Sequence, residues 1–113
     1  MPGKLTTHVL DTSRGIPAAG MKISLYRDGK LLKSATTNRD GRLDAPLLSG
    51  AEFAEGNYRL DFAVGDYFAS KSEAGAERFL DVVPIAFHVD GTGRDYHVPL
   101  LVSPWSYTTY RGS

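Results

Sequence analysis

The sequence contains no cysteine, which excludes thiol nucleophiles, thiolate metal sites and disulfide bonds. It also lacks net charge, because thirteen basic side chains balance thirteen acidic ones. Without a dominant charge there is no general attraction to nucleic acid or to an anionic membrane, so we expect neither as a partner. No apolar segment suited to secretion or to a bilayer span follows Met1, and we expect a cytoplasmic protein.

Short strands dominate what is present. The 113 residues are enough for one hydrophobic core, so we expect a single domain over residues 1–113. Apolar and polar residues alternate in short runs separated by turn residues such as Asp28-Gly29, a pair that favours a hairpin. The predicted strands cover residues 5–10, 21–26, 31–37, 57–64, 83–90, 96–102 and 105–110, with a short edge piece within 43–48.

One short helix is predicted among these strands. It runs from about Lys71 to Glu77, because Ser70 and Glu73 have the spacing of a capping box; no other segment shows a helical pattern. Seven to eight strands with one short helix indicate an all-β protein built as a two-sheet β-sandwich. The strand over residues 57–64 has the cleanest alternation and should be central in its sheet.

Three polar side chains fall on outward strand faces when residues are counted in twos. They are His8 in the first strand, His97 in the strand over 96–102 and Tyr110 at the end of the last strand. Periodicity does not show whether these three strands adjoin. The residues that alternate with the two histidines suit the core: Leu5, Thr7, Val9, Tyr96, Val98, Leu100 and Val102.

These side chains, with an arginine in a turn, have the chemistry of a hydrolytic site. The imidazole of His8 titrates near neutral pH and can act as a general base toward water, although an exposed histidine without such a role is the ordinary alternative. Arg42 follows the turn residues Asp40-Gly41 and can stabilise an oxyanion, although a solvated arginine is again the default. The chain closes with Tyr110-Arg111-Gly112-Ser113, an aromatic face, a cation and a hydroxyl where a frayed tail is usual.

The three histidines also raise the question of a metal. His88 and His97 could pair across a turn at Thr92-Gly93 and bind zinc together with His8. However, the three have no ligand spacing on one element, and the sequence places no carboxylate to orient them. It contains no phosphate-binding loop or nucleophile elbow. We therefore expect no metal and no cofactor, and a structural role for His88.

Three segments carry a resemblance to a known family: residues 5–11 (LTTHVLD), residues 95–100 (DYHVPL) and the terminal YRGS. Together they resemble the 5-hydroxyisourate hydrolase family of transthyretin-related proteins, over nearly the whole chain. The resemblance implies a transthyretin-like fold, in which the first, penultimate and last strands share one sheet whose outer face lines a channel between subunits. It also implies that His88 and His97 lie in different sheets.

The resemblance implies an activity as well. The family opens the six-membered ring of 5-hydroxyisourate, the product of urate oxidation in purine degradation, by attack of water on a ring carbonyl. The product is 2-oxo-4-hydroxy-4-carboxy-5-ureidoimidazoline. Arg39 is expected to be a surface residue. The expected catalytic residues are His8, Arg42, His97 and Ser113. The expected substrate-binding residues are His8, Arg42, Tyr110, Arg111 and Gly112.

The family forms a homotetramer, a dimer of dimers that meet across the channel. The outward face with Leu10, Pro99 and Leu101 is more apolar than a monomer usually exposes, which favours assembly. Trp105 and Tyr107 are expected in the core or in a subunit contact. The alternative function is a carrier that binds a small aromatic ligand in the channel without catalysis. Vertebrate hormone carriers of this fold lack the terminal YRGS and the two site histidines, which favours the enzyme; an adhesion-type module fits the chemically dense tail less well.

Overall fold

The computed structural model of the protein describes residues 3–71 and 78–112. Most of these residues lie in short strands, joined by tight turns, with one α-helix and one 3-10 turn among them. The strands are β1 (Lys4–Asp11), β2 (Ile16–Pro17), β3 (Lys22–Arg27), β4 (Lys30–Thr36), β5 (Leu48–Ser49), β6 (Gly56–Ala63), β7 (Val82–Val89), β8 (Tyr96–Val102) and β9 (Tyr107–Thr109). The helix is α1 (Val64–Lys71), and the 3-10 turn covers Gly50–Glu52.

The strands form two sheets that pack face to face, as the alternation predicted. One sheet has the order β2-β1-β8-β9, with β5 also paired to β1, and the other has the order β4-β3-β6-β7. The two-sheet β-sandwich is therefore confirmed, and β6 is interior to its sheet, as expected. Nine strands are found in the described residues where seven to eight were predicted, because β2 was not anticipated and β5, at the end of the predicted edge piece, is only two residues long.

The first sheet is organised by a parallel pair of strands. β1 and β8 run side by side over seven residue pairs, from Leu5 opposite Tyr96 to Asp11 opposite Val102. The antiparallel strand β9 then pairs with β8. The first, penultimate and last strands thus share one sheet, as the resemblance implied, and β7, which carries His88, belongs to the other sheet. His88 and His97 are separated accordingly.

The inner faces of the two sheets enclose the hydrophobic core. On β1 and β8 the predicted inward residues are all buried, from Leu5 through Leu100. Most outward residues of the same strands, including Leu10 and Leu101, are only partly buried. Pro99 is the exception, because it is buried. The most completely buried side chains of the core include Leu5, Val9, Met21, Ile23, Leu25, Leu47, Tyr58, Leu60, Phe62, Val64 and Leu100.

The helix lies earlier in the chain than predicted. α1 begins at Val64, which was assigned to a strand, and the expectation that no segment outside 71–77 is helical was wrong. The signal was present, because Val64, Tyr67 and Phe68 have the i, i+3, i+4 spacing of an amphipathic helix and are buried. Most of the predicted helix, residues 72–77, lies outside the described residues. Within the part of the chain described, no helix is long and apolar enough to span a membrane.

Two aromatic residues at the start of the terminal strand, Trp105 just before β9 and Tyr107 as its first residue, do not enter the core. The terminal strand is shorter than the predicted 105–110, and Trp105 and Tyr107 expose 63% and 42% of their surface. Of the two predicted places, the core is therefore excluded, and the subunit contact stays a prediction. A turn at Ser103–Ser106, in which the backbone N–H of Ser103 donates to the Ser106 carbonyl at 2.9 Å, connects β8 to β9 and leaves these two side chains exposed.

Candidate active site

Two histidines lie on the outer face of the parallel β1–β8 pair. The register sets His8 opposite Pro99 and Thr6 opposite His97, so the histidines are two positions apart on neighbouring strands. Residues two apart on a strand point to the same face, which places His8 and His97 on the side away from the core. Both are partly buried. The adjacency that periodicity alone could not establish is thus found in the structure.

The His97 ring is held on two sides. Its Nδ1 lies 2.8 Å from the Thr6 hydroxyl oxygen. On the other side the chain end passes over the ring: the backbone N–H of Gly112 donates to the His97 carbonyl at 2.7 Å. A Cβ on residue 112 would lie 2.5 Å from Cδ2 of His97. Only glycine lets the tail run this close, so Gly112 contributes to the site by packing against a catalytic candidate.

The His8 ring is held by the turn that follows β4. Its Nε2 lies 2.9 Å from the backbone carbonyl oxygen of Asp40. A carbonyl can only accept, so the contact assigns the Nε2 proton to His8 and leaves its Nδ1 as the free acceptor of the neutral ring. The orientation of His8 therefore depends on a backbone carbonyl that is distant in the sequence. The identity of the side chain at residue 40 does not indicate this contact.

The same turn positions Arg42. The Asn38 side-chain oxygen accepts from the backbone N–H groups of Asp40 and Arg42, at 2.9 and 3.2 Å, and Asn38 N–H donates to the Arg42 carbonyl at 2.7 Å. Gly41 has φ +73°, and a Cβ there would clash with the Val9 carbonyl, which only glycine avoids. The Gly41 carbonyl accepts from Val9 N–H at 2.8 Å. The turn is therefore fixed to β1, with Arg42 bridged to the strand beside His8.

The electrostatics link the three side chains. Burial is the main cause that lowers the pKa of His8 below its usual 6.5, and the positive charge of Arg42 lowers it further. Burial also lowers the pKa of His97, followed by the charges of Arg42 and His8. Since one guanidinium acts on both rings, His8, Arg42 and His97 form a single cluster. Lowered pKa values keep both imidazoles neutral at pH 7, the state in which an imidazole can accept a proton.

The terminal residues Tyr110 and Arg111 follow β9 at the end of the described chain. The guanidinium carbon of Arg111 lies 4.1 Å from the centroid of the Tyr96 ring, and its Nη2 donates to the Asp95 carbonyl at 3.2 Å. Tyr96 faces the core, so Arg111 is turned away from the histidine face within one chain. Tyr110 is 57% exposed. Both residues line a cavity of about 410 Å³ between the edges of β7 and β9.

The remaining predicted residues are quickly placed. Ser113 lies outside the described residues. Arg39 is exposed, as expected of a surface residue. His88 Nδ1 lies 2.8 Å from the Asn57 side-chain oxygen, across the β6–β7 pair, and its structural role stays a prediction. Among the described residues, no group of three or more His, Cys, Asp or Glu side chains is placed to hold a metal ion.

The geometry supports hydrolysis by attack of water on an electrophilic carbonyl carbon. Two neutral imidazoles can orient and deprotonate a water molecule, and the adjacent guanidinium can stabilise the negative charge that develops on a carbonyl oxygen. Comparison with known proteins agrees with this arrangement: the sequence model of the HIUase/transthyretin family matches residues 5–112, a range that contains both histidines, Arg42 and Gly112. The chain belongs to the HIUase/transthyretin family.

Relatives within this family are similar along their full length. A 5-hydroxyisourate hydrolase of Mesorhizobium japonicum is 56% identical over 98% of this chain and 93% of its own. A 5-hydroxyisourate hydrolase of Halalkalibacterium halodurans is 51% identical over the whole of both chains. Identity at this level over complete chains goes well beyond a shared fold.

Solved structures of similar chains share the architecture. The 5-hydroxyisourate hydrolase of Klebsiella pneumoniae has a TM-score of 0.85 at 37% identity and covers 98% of this chain and 99% of its own. Sea bream transthyretin in complex with thyroxine has a TM-score of 0.86 at 28% identity, over 96% of this chain and 94% of its own. An (S)-allantoin synthase has a TM-score of 0.91 at 49% identity over 98% of this chain, which spans 44% of that larger chain.

Two contacts of the candidate site were not anticipated from the sequence. The Asp40 carbonyl is a backbone group, and no residue pattern could have indicated it. The Thr6 hydroxyl had a signal, because Thr6 lies two residues before His8 and so shares its outward face. What was missing was the register of β1 against β8, which alone shows that Thr6 meets His97 and not another residue.

Proposed function

We propose that this chain hydrolyses 5-hydroxyisourate to 2-oxo-4-hydroxy-4-carboxy-5-ureidoimidazoline, a step of urate degradation. The observation that carries the proposal is the cluster of His8, Arg42 and His97 on the outer face of β1–β8. This cluster occurs in a chain 56% identical to a protein named for that activity. We include in the proposal that residues 1–113 form one catalytic domain and that it works in the cytoplasm, which cell fractionation tests.

The proposed reaction is a direct hydrolysis of a cyclic amide. Water adds to a ring carbonyl carbon after His8, together with His97, orients it and removes a proton. Arg42 stabilises the oxyanion that forms. The carbon–nitrogen bond of the ring then breaks, and the proton returns to the departing nitrogen, which leaves a carboxylate and an open ring. The lowered pKa values of the two imidazoles support this use, because a protonated ring could not accept the proton of water.

The end of the chain is assigned to the substrate and to assembly of the pocket. The exposed ring of Tyr110 offers a flat face and a hydroxyl to a planar heterocycle. Gly112 keeps the tail against His97. Ser113 and Arg111 are proposed to complete the pocket or to relay a proton. Since Arg111 packs on Tyr96 on the core side of its strand, its share in the pocket requires either a change of rotamer or a second subunit.

A second subunit is expected on physical grounds. β7 and β9 end the two sheets on the same side of the sandwich, and within residues 3–71 and 78–112 no strand covers their outer edges. Exposed strand edges favour pairing with another chain. The exposed Tyr107 begins β9, and the exposed Trp105 lies two residues before it. We propose a homotetramer of two dimers around a channel lined by the histidine face. A monomeric mass by light scattering at micromolar concentration, with full activity, would contradict it.

The decisive test follows the ultraviolet absorbance of freshly prepared 5-hydroxyisourate with and without the protein. The proposal predicts rapid decay with the protein, and unchanged activity after exhaustive treatment with a chelator, since no metal is assigned to the reaction. A carrier would bind the compound and leave its spontaneous rate of decay as it is in buffer. Loss of activity on chelation with recovery on adding zinc would replace the proposed mechanism by a metal-dependent one.

A further inference from the structure

Thr6 makes a contact that the proposed mechanism does not use. Its hydroxyl oxygen lies 2.8 Å from Nδ1 of His97, 91 residues away in the chain. We propose that Thr6 is a positioning residue for this reaction: it accepts a hydrogen bond from Nδ1–H of His97 and so keeps Nε2 as the lone-pair nitrogen that faces the reaction. The inference rests on the hydrolase function proposed above, and it adds the residue that sets the tautomer of a catalytic histidine.

The contact joins two rigid elements. Thr6 and His97 are direct partners in the parallel register of β1 and β8, and both side chains are partly buried on the outer face. Gly112 closes the other side of the ring. A Cβ placed on Gly112 would lie 2.5 Å from Cδ2 of His97. The imidazole is therefore held at Nδ1 and along its Cδ2 edge. Among the described residues no protein group is hydrogen-bonded to Nε2, so that nitrogen is available to water or substrate.

The chemistry of a hydroxyl suits this position. When neutral His97 carries its proton on Nδ1, the Thr6 oxygen accepts a hydrogen bond from Nδ1–H, and Nε2 has a free lone pair. After Nε2 takes a proton from water, the same Nδ1–H bond to Thr6 persists, so the ring does not have to turn during the proton transfer. Tautomer control by the partner of the second ring nitrogen is a general feature of functional histidines. His8 has the opposite assignment, because the Asp40 carbonyl accepts from its Nε2.

The next residue supplies a matched control. The Thr7 hydroxyl donates to the Val98 carbonyl at 2.7 Å and is buried on the opposite face of the same strand pair. Thr6 and Thr7 thus each link β1 to β8 by one hydroxyl bond, one to a side chain on the site face and one to the backbone in the core. Replacing either by valine preserves the shape of the side chain and the preference for a strand.

The first measurement is steady-state hydrolysis of 5-hydroxyisourate by Thr6→Val, Thr6→Ser and Thr7→Val. Thr6→Val should lower kcat about 10-fold to 100-fold with little change in KM, because a misplaced base slows the chemical step more than it weakens binding. Thr6→Ser should restore most of the rate, since it keeps the hydroxyl. Thr7→Val should melt at a lower temperature and keep the parental kcat. Equal rates in the parent and in Thr6→Val would overturn the proposal.

The second measurement does not depend on turnover. Nitrogen-15 NMR of the ring nitrogens should show neutral His97 with its proton on Nδ1 in the parent and in Thr6→Ser, and on Nε2 in Thr6→Val. A proton on Nε2 in the parent would overturn the assigned role of Thr6. A parent that shows the expected tautomer but does not accelerate the decay of 5-hydroxyisourate would instead refute the hydrolase function, so the two failures are distinguishable.

Discussion

The two faces of the β1–β8 pair share one strand register but differ in role: the inner face forms part of the core, and the outer face carries the candidate site. The inner face is closely packed: Leu5, Val9 and Leu100 have no exposed surface. The outer face carries His8 and His97, which are partly exposed and bonded to a loop carbonyl and to Thr6. Changes on the inner face should therefore alter the stability of the fold, and changes on the outer face should alter the chemistry. The following predictions test that division.

The largest effect is expected from removing the chain end. A variant that ends at Thr109 loses the Tyr110 phenol, the Gly112 contact on His97 and the Arg111 stack on Tyr96. It should hydrolyse 5-hydroxyisourate no faster than buffer, yet fold with a loss of about 1 kcal/mol of stability, since few buried contacts are removed. Initial rates and thermal melts on the same preparations measure both. Adding back Tyr110 alone should restore some binding and little turnover; an active shortened variant would remove the tail from the site.

Next in size are changes to the outer-face cluster. His8→Ala and Arg42→Ala should each lower turnover by about two orders of magnitude or more, because they remove a base and an oxyanion stabiliser. Circular dichroism should show the parental fold. Arg39→Ala is the matched control: it removes an exposed arginine of the same turn and should leave the rate unchanged. Parental rates in both cluster variants would refute the assigned site.

A smaller effect is expected at the glycine that touches His97. Gly112→Ala places a methyl group 2.5 Å from Cδ2 of His97, so either the ring or the tail has to move. We expect kcat to fall about 10-fold, as for other displacements of a catalytic group, with the melting temperature nearly unchanged. Gly20→Ala is a useful comparison, because its Cβ meets no atom within 4 Å while its φ of +83° still disfavours a side chain. That variant should lose stability and keep its rate.

The smallest effect concerns the titration of the histidines. Burial and the charge of Arg42 lower the pKa values of His8 and His97 below 6.5. The acid limb of kcat/KM should therefore lie below pH 6.5, because activity needs neutral rings and is lost as pH falls through the lowered values. In Arg42→Gln both pKa values should rise, as NMR titration of the ring protons can measure. Arg39→Gln should not shift them, and unchanged values in Arg42→Gln would separate Arg42 from the cluster.

The inner face was largely predictable and the outer face only in part. Residues such as Leu5, Val9 and Leu100 are apolar because they are buried, and they alternate with more polar outward residues. This alternation is visible in the sequence, so the strands and their inward residues could be predicted. The helix at Val64–Lys71 was missed because its first residue also continues the strand alternation of β6. On that point two valid periodicities overlap, and tertiary packing decides between them.

The site required information of another kind. The side chains of His8, Arg42 and His97 could be named from chemistry and family resemblance, but their contacts depend on pairings distant in the chain. The Asp40 carbonyl reaches His8 only because Gly41 allows the turn to approach β1, and Thr6 meets His97 only in one register of two parallel strands. Residue spacing within one strand contains neither fact. The position of Arg111 against Tyr96 is likewise a product of packing between elements.

One paired measurement tests the division between the two faces most directly. His97 and Val98 are consecutive residues of β8 that point to opposite faces. His97→Gln should keep the melting temperature within a few degrees and lower turnover of 5-hydroxyisourate at least about 100-fold. Val98→Ala should lose about 2 kcal/mol of stability, roughly 10 °C in melting temperature, and keep the parental rate per folded molecule. A His97→Gln variant with the parental rate, or a Val98→Ala variant that is inactive at the parental melting temperature, would contradict the account.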